Sequence, residues 1–124
     1  MRVLLASLCV LVFVQSRANA EMTVKEYQKE VHSSIRDRAD AVKLYVIGVG
    51  HGISWANTDA AQKGVPLYCQ PPKFGLNGDN YIDILEKTIK VFEAKATAKE
   101  LNEFPVAMVL LTGLEQTFPC QAAK

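Results

Sequence analysis

The feature that most constrains this fold is a helical spacing of apolar residues in three separate segments. In the first segment, apolar residues recur at intervals of three, four and seven from Val24 to Val49, which is the spacing of an amphipathic helix. A second such segment spans residues 81–92, and a third spans roughly residues 102–117. Alternation typical of strands is almost absent, and 124 residues are enough for one domain. The sequence therefore predicts a small all-α domain of three to five helices.

The first predicted helix begins at a capping box and runs into a group of glycines. Thr23 and Glu26 have the spacing of a capping box, so the helix is expected to begin near Val24 and to extend at least to Ile47. The run Gly48–Gly52 follows, and two interpretations are open: the helix breaks here, or it continues. Each glycine inside a helix costs about 1 kcal/mol relative to alanine. Continuation, with another helix packed closely against the glycines, is favoured because apolar residues alternate with them.

Turn residues separate the first helix from the second. Residues 58–66 are expected to form a connection, because Lys63-Gly64 is a helix stop and Pro66 follows it. Asn77 or Asp79 is then expected to cap the second helix.

The last helix is expected to follow a weakly patterned linker at residues 94–99. Asn102 is the predicted cap, and Pro105 is tolerated in the first turn. Met108 and Phe118 are expected to add to the inward face of this helix.

The first twenty residues have the pattern of a secretory signal peptide. Arg2 supplies a positive start, residues 3–14 form a short apolar run, and Ala18-Asn19-Ala20 provides the small residues that a signal peptidase reads. The apolar run is too short to span a bilayer comfortably, and no later apolar segment is long enough to do so. Residues 1–20 are therefore predicted to be a cleaved signal peptide, and residues 21–124 the mature, exported domain.

Cleavage changes both the charge and the number of cysteines. Loss of Arg2 and Arg17 lowers the Lys and Arg count from 14 to 12 against 13 acidic residues, so the mature net charge is 12 − 13 = −1. No basic block or aromatic platform indicates nucleic-acid binding. Loss of Cys9 leaves Cys69 and Cys120. In an exported domain two cysteines most simply form a disulfide, and free thiols or intermolecular links are the alternatives.

The sequence lacks the patterns that catalysis or metal binding would need. His32 lies on the polar side of the first helix and is expected to be solvated, while His51 is expected to be a core or interface residue. Neither H-x-x-x-H nor C-x-x-C occurs, so no metal site is expected. Cys69 could act with His51 only as an activated thiol, and pairing with Cys120 is simpler. We therefore expect no catalytic residue, no metal and no cofactor, and a binding protein rather than an enzyme.

One loop offers a candidate for partner recognition. Phe74 lies between Lys73 and Gly75, in a loop that Pro71 and Pro72 stiffen. An aromatic side chain on a rigid loop is suited to anchor a protein partner. The alternative, that Phe74 packs back beneath its own loop, is equally open. Lys73 and Phe74 are the candidate partner-binding residues.

Three short motifs, taken in order, resemble one protein family. Residues 45–49 resemble its glycine-containing first helix, residues 69–71 its Cys-x-Pro segment before a second helix, and residues 118–120 its terminal Phe-Pro-Cys. Over about residues 43–120 the chain resembles the exported Rap/Tai immunity proteins of type VI secretion systems. Members often have a His-Pro-Glu turn between the last two helices, which residues 95–103 lack.

The resemblance implies both a fold and a function. It implies small, helical, disulfide-bonded periplasmic dimers that bind a peptidoglycan amidase effector injected by competing cells. Such proteins block the amidase by covering its cleft with a loop and a helix surface, and no catalysis is implied. The alternative is a periplasmic stress or chaperone-like helical protein that binds many unfolded clients and exposes apolar surface conditionally, for example at low pH.

Overall fold

The computed structural model describes residues 21–121, so the predicted signal peptide at residues 1–20 lies outside the described residues. Within that range the chain forms five α-helices: α1 Val24–Val31, α2 Arg36–Gln62, α3 Gly78–Glu93, α4 Ala98–Glu103 and α5 Val106–Thr117. The predicted all-α class is confirmed, at the upper end of the expected number of helices. None of these five helices combines the length and the apolar character needed to cross a bilayer.

The helix α3 lies at the centre of the packing. It packs against α5 and α2 and touches α4, while α1 packs against α2 and α4. The buried apolar side chains come from all five helices and from the loop before α3: Val24, Tyr27, Val42, Val46, Tyr68, Tyr81, Leu85, Ile89, Leu101, Val106, Val109, Leu110 and Leu114. Burial of this core is the main favourable contribution to folding.

The expected continuous first helix is wrong, because the chain turns between α1 and α2. The Ser33 N–H donates to the Glu30 carbonyl, and the Ile35 N–H donates to the Ser33 hydroxyl. Serine side chains favour such turns because they offer the backbone an alternative to helical hydrogen bonds. Val31 and Ile35 are four residues apart, so the apolar spacing continues across the break even though Ile35 is half exposed.

The favoured continuation of the helix through the glycine run is confirmed, since α2 extends to Gln62. The expected connection at residues 58–66 therefore begins too early, because Thr58 to Gln62 are still helical. The predicted stop at Lys63-Gly64 is confirmed. Gly64 has a φ of 79°, a left-handed conformation that suits glycine after a helix end.

The start of α3 is as predicted, whereas the start of the last helix is not. Asn77 caps α3, and its side chain accepts from the Asn80 N–H. The predicted cap Asn102 instead lies inside the short helix α4, which Thr97 caps. Pro105 then forms the N-cap of α5.

Two side chains expected on the inward face of the last helix differ in burial. Phe118 is partly buried and packs against the core, as expected. Met108 is exposed, because the inward stripe of α5 is already formed by Val106, Val109 and Leu110.

Candidate partner-binding surface

A glycine brings α2 and α3 close together. A Cβ atom at Gly50 would lie 2.4 Å from Cγ of Tyr81, so only glycine leaves room for that ring. The neighbouring His51 ring meets the Tyr81 ring edge-on, with centroids 5.6 Å apart. His51 is nevertheless exposed, so a place in the core is wrong for it, and its contact is to the outer side of the α2–α3 junction.

Hydrogen bonds between hydroxyl groups join α2 to α3 and to the loop before α3. The Ser54 hydroxyl lies 3.0 Å from the Tyr68 hydroxyl and 2.7 Å from the Tyr81 hydroxyl. Both tyrosines are buried, and burial above all raises the pKa of Tyr68, which keeps its phenol protonated. The network therefore fixes the start of the loop before α3 against α2.

The side chain of one asparagine in α2 also holds this loop, through hydrogen bonds to the backbone of the loop. Asn57 Oδ1 accepts from the N–H groups of Leu67 at 2.7 Å and Tyr68 at 3.1 Å, and Asn57 Nδ2 donates to the Tyr68 carbonyl at 3.1 Å. Sequence reasoning missed Asn57. Its position within a helix carries no local pattern that marks it as a partner of residues ten positions later.

The next residue of the loop is tied to the chain end. Cys69 and Cys120 form a disulfide with an S–S distance of 2.04 Å, so the predicted pairing is confirmed in place of free thiols or intermolecular links. The Cys69 N–H also donates to the Phe118 carbonyl at 2.8 Å. Because Cys69 is oxidised, it is not a thiol nucleophile beside His51.

Phe74 combines the two placements that the sequence left open. Its ring packs against the Phe118 ring with centroids 5.7 Å apart, yet the side chain is 45% exposed. The Gln70 amide donates to the Phe74 carbonyl, which closes the loop on itself. Lys73 is also exposed and takes part in none of the ion pairs found among residues 21–121.

The largest exposed side chain beside this loop is Trp55 of α2, which is 75% exposed. Trp55 and Gln70 line a hollow of about 250 Å³ between α2 and the loop, and Leu76 belongs both to this hollow and to a smaller one of about 140 Å³ beside Phe74. We call the following group the docking surface: the exposed residues Trp55, Lys73 and Phe74, and the partly buried residues Gln70 and Leu76. Sequence reasoning did not find Trp55, because an aromatic residue in an apolar helix is usually assigned to the core.

A second exposed surface continues along α2 toward its N-terminus. Leu44 is 68% exposed, and neither Gly48 nor Gly52 has any atom within 4 Å of a Cβ built on it. We call this stripe the outer face of α2: Ala41, Leu44, Gly48 and Gly52. It is uncharged, and no contact within the chain accounts for its two glycines.

A cleft of about 280 Å³ lies between α1 and α3. The Tyr27 hydroxyl donates to Glu86 at 3.1 Å, and the Gln28 amide donates to Glu93 at 3.2 Å. Burial first, and the nearby Glu86 charge second, raise the pKa of Tyr27. These carboxylates already accept hydrogen bonds from α1, so they join two helices.

The docking surface presents two exposed aromatic side chains, Trp55 and Phe74, on a support that hydrogen bonds and the disulfide hold. Among residues 21–121 no three His, Cys, Asp or Glu side chains cluster in a way that could hold a metal ion.

Comparison of the chain with protein-family models, with curated proteins and with solved structures finds no match. The resemblance to the Rap/Tai immunity proteins therefore stays a prediction.

Proposed function

We propose that this chain is an exported, periplasmic immunity protein that binds a peptidoglycan amidase effector and blocks its cleft without catalysis. The observation that carries the proposal is the exposure of Trp55 and Phe74 together on the docking surface. Tryptophan is among the residues most enriched at the energetic centres of protein interfaces, where truncation of one side chain often costs about 2 kcal/mol or more.

The rigid support of the docking surface also favours this function. Asn57, the Ser54 hydroxyl network and the disulfide all hold the loop before a partner arrives. A surface that is ordered in advance loses less conformational entropy on binding. The proposed amidase cleft would receive Phe74 and Trp55, and the rim charge of Lys73 would act mainly on the rate of association.

The test is inhibition of purified amidase effectors by the mature protein, residues 21–124. Stoichiometric loss of peptidoglycan hydrolysis by one amidase, together with a stable complex, is the expected result. Trp55→Ala and Phe74→Ala should each weaken inhibition by at least about tenfold, the effect of removing one interface anchor.

Val91→Ala is the matched control, because Val91 is an apolar residue 40% exposed on α3 that lines neither hollow of the docking surface. It should inhibit as the unchanged protein does. Failure to inhibit any amidase, combined with broad protection of unfolded clients from aggregation, would instead support the stress or chaperone-like alternative.

Export is the second part of the proposal. The charged start, the short apolar run and Ala18-Asn19-Ala20 support cleavage after residue 20. Expression of the full chain should yield a periplasmic protein whose N-terminal residue is Glu21. Retention of residues 1–20 in the exported protein would contradict this part of the proposal.

A second copy of the chain is proposed to occupy the outer face of α2. In an antiparallel pair with Gly48 opposite Gly52 of the other copy (48 + 52 = 100), Asp37 lies opposite Lys63 (37 + 63 = 100). Because Lys63 also pairs with Asp59 of its own chain, these charges would set the register of the pair more than its strength. Small residues allow close approach of two helices, and Leu44 adds exposed apolar area. Leu44→Asp should convert a dimer to a monomer in analytical ultracentrifugation, and a monomeric unchanged protein would refute the pairing.

A further inference from the structure

The disulfide lies on the surface and joins two segments outside the helices. Cys69 belongs to the loop between α2 and α3, and Cys120 follows α5. Both cysteines are exposed, and neither is part of the buried core. A small dithiol can therefore reach the bond while the helices stay packed, and access is one of the factors that set the rate of thiol–disulfide exchange.

Hydrogen bonds divide the loop into two parts that meet at Cys69. The Leu67 and Tyr68 N–H groups donate to Asn57 of α2, and the Tyr68 side chain is buried. The next N–H, that of Cys69, donates to the Phe118 carbonyl. The first part is thus held by a helix, and the second by the chain end that the disulfide ties down.

Phe74 belongs to the second part of the loop. Its backbone hydrogen bonds stay within the loop, from the Phe74 N–H to the Pro71 carbonyl and from the Gln70 amide to the Phe74 carbonyl. Its ring packs on Phe118, two residues before Cys120. The position of Phe74 over the helices therefore depends on how firmly Phe118 is held.

We propose that the Cys69–Cys120 bond is a redox switch on the docking surface, opened by a dithiol reductant. The dithiol supplies two electrons and two protons, the S–S bond breaks to give two thiols, and the dithiol leaves as a disulfide. Reduction releases residues 69–75 and the chain after α5, while Leu67 and Tyr68 remain on Asn57. The oxidised form then presents Phe74 to a partner and the reduced form does not, a consequence that rests on the proposed function.

The test compares amide exchange by NMR in the oxidised mature protein and in the same protein reduced with dithiothreitol. The Cys69 amide should exchange at least about tenfold faster after reduction, as expected for local opening, while the Leu67 and Tyr68 amides keep their native chemical shifts.

The double variant C69S/C120S is the control for the reductant. It should show the open exchange pattern without dithiothreitol and should not respond to it. Unchanged protection of the Cys69 amide on reduction overturns the switch. Loss of the native chemical shifts of Tyr68 and of α3 on reduction also overturns it, because the bond would then hold the whole fold rather than the loop. An amidase that binds neither form counts against the proposed function and leaves the exchange result standing.

Discussion

Gly48, Gly50 and Gly52 lie within five positions of one helix, yet their surroundings differ. A methyl group at Gly50 would overlap the Tyr81 ring, whereas one at Gly48 or Gly52 would meet open space. Composition alone treats these residues as equivalent helix-weakening positions. The structure separates one residue that internal packing requires from two that it does not.

Alanine substitutions should therefore act in opposite directions along the run. Gly48→Ala should stabilise the monomer by up to about 1 kcal/mol, because alanine restricts the unfolded chain and favours the helix. Gly50→Ala should destabilise it by about 1–3 kcal/mol, because the added methyl group displaces Tyr81. Urea unfolding followed by circular dichroism measures both variants in the same helix. Equal effects at the two positions would contradict the close contact at Gly50.

The carboxyl groups of Glu26 and Glu100 each make the stability of the fold depend on pH. The Thr23 N–H donates to Glu26 at 2.8 Å, and this backbone hydrogen bond is the main cause that lowers the pKa of Glu26 below its ordinary value of 4.5. The Thr97 hydroxyl, at 2.7 Å, does the same for Glu100, with its backbone N–H as the second cause. A carboxyl whose pKa is lowered by folding stabilises the fold above its ordinary pKa, and this contribution is lost as the pH falls through the lowered value.

The double variant Glu26→Gln and Glu100→Gln should therefore lose less stability than the unchanged protein on acidification. Glutamine can still accept from the threonine N–H, but it does not titrate. The measurement is urea unfolding at pH 6 and at about pH 3, below the ordinary carboxyl pKa. Glu115→Gln, at an exposed position outside both caps, is the control. An unchanged pH dependence in the double variant would show that the caps do not contribute to acid sensitivity.

At the scale of elements, one side chain of α2 holds the start of the loop between α2 and α3. Asn57 satisfies two backbone N–H groups and one carbonyl of Leu67 and Tyr68. Asn57→Ala should destabilise the domain by about 2 kcal/mol, because the N–H and carbonyl of buried Tyr68 and the N–H of Leu67 lose their partner. It should also speed the exchange of the Leu67 and Tyr68 amides. Asn57→Asp keeps the acceptor for both N–H groups, so those amides should stay more protected than in the alanine variant.

Local signals predicted some elements well and missed others for physical reasons. The capping box of Thr23 and Glu26 and the stop at Gly64 lie within a few residues of the ends that they set, so the sequence contains them in full. The turn at Ser33 was missed because Val31 and Ile35 keep a helical spacing across it. The helix α4 has six residues, too few to show an apolar period, so its cap at Thr97 went unrecognised.

The residues of the candidate site also differ in how well local sequence patterns predicted them. The disulfide follows from the number of cysteines left after cleavage, and Phe74 stood out because prolines stiffen its loop. Trp55 and Asn57 depend instead on which side of α2 faces the core and which faces the loop. That choice depends on the packing of Gly50 on Tyr81. The glycine run predicted a close helix contact, but it did not show which glycine or which partner residue makes it.

At the scale of the whole molecule, the disulfide closes a loop of 51 positions that contains all of α3, α4 and α5. Cross-links of this span restrict the unfolded chain, and the chain-entropy relation gives about 4 kcal/mol for it. The stability of a domain of this size is typically about 5–15 kcal/mol. The bond is therefore a large part of the total, although the core residues that hold the helices together lie elsewhere.

The variant C69S/C120S should accordingly remain helical but unfold at lower urea concentration, with a free energy of unfolding reduced by up to about 4 kcal/mol. Most of this change should come from the unfolded state, because the serine side chains leave the buried core as it is. The unchanged protein, measured in excess dithiothreitol, should match the variant, which separates loss of the bond from any effect of the serines. A reduction below about 1 kcal/mol would mean that the unfolded chain already keeps the two cysteines close together. Complete loss of helical structure would contradict this prediction, because it would mean that the helices do not stay folded without the bond. It would also overturn the proposed switch, which needs the helices to stay packed after reduction.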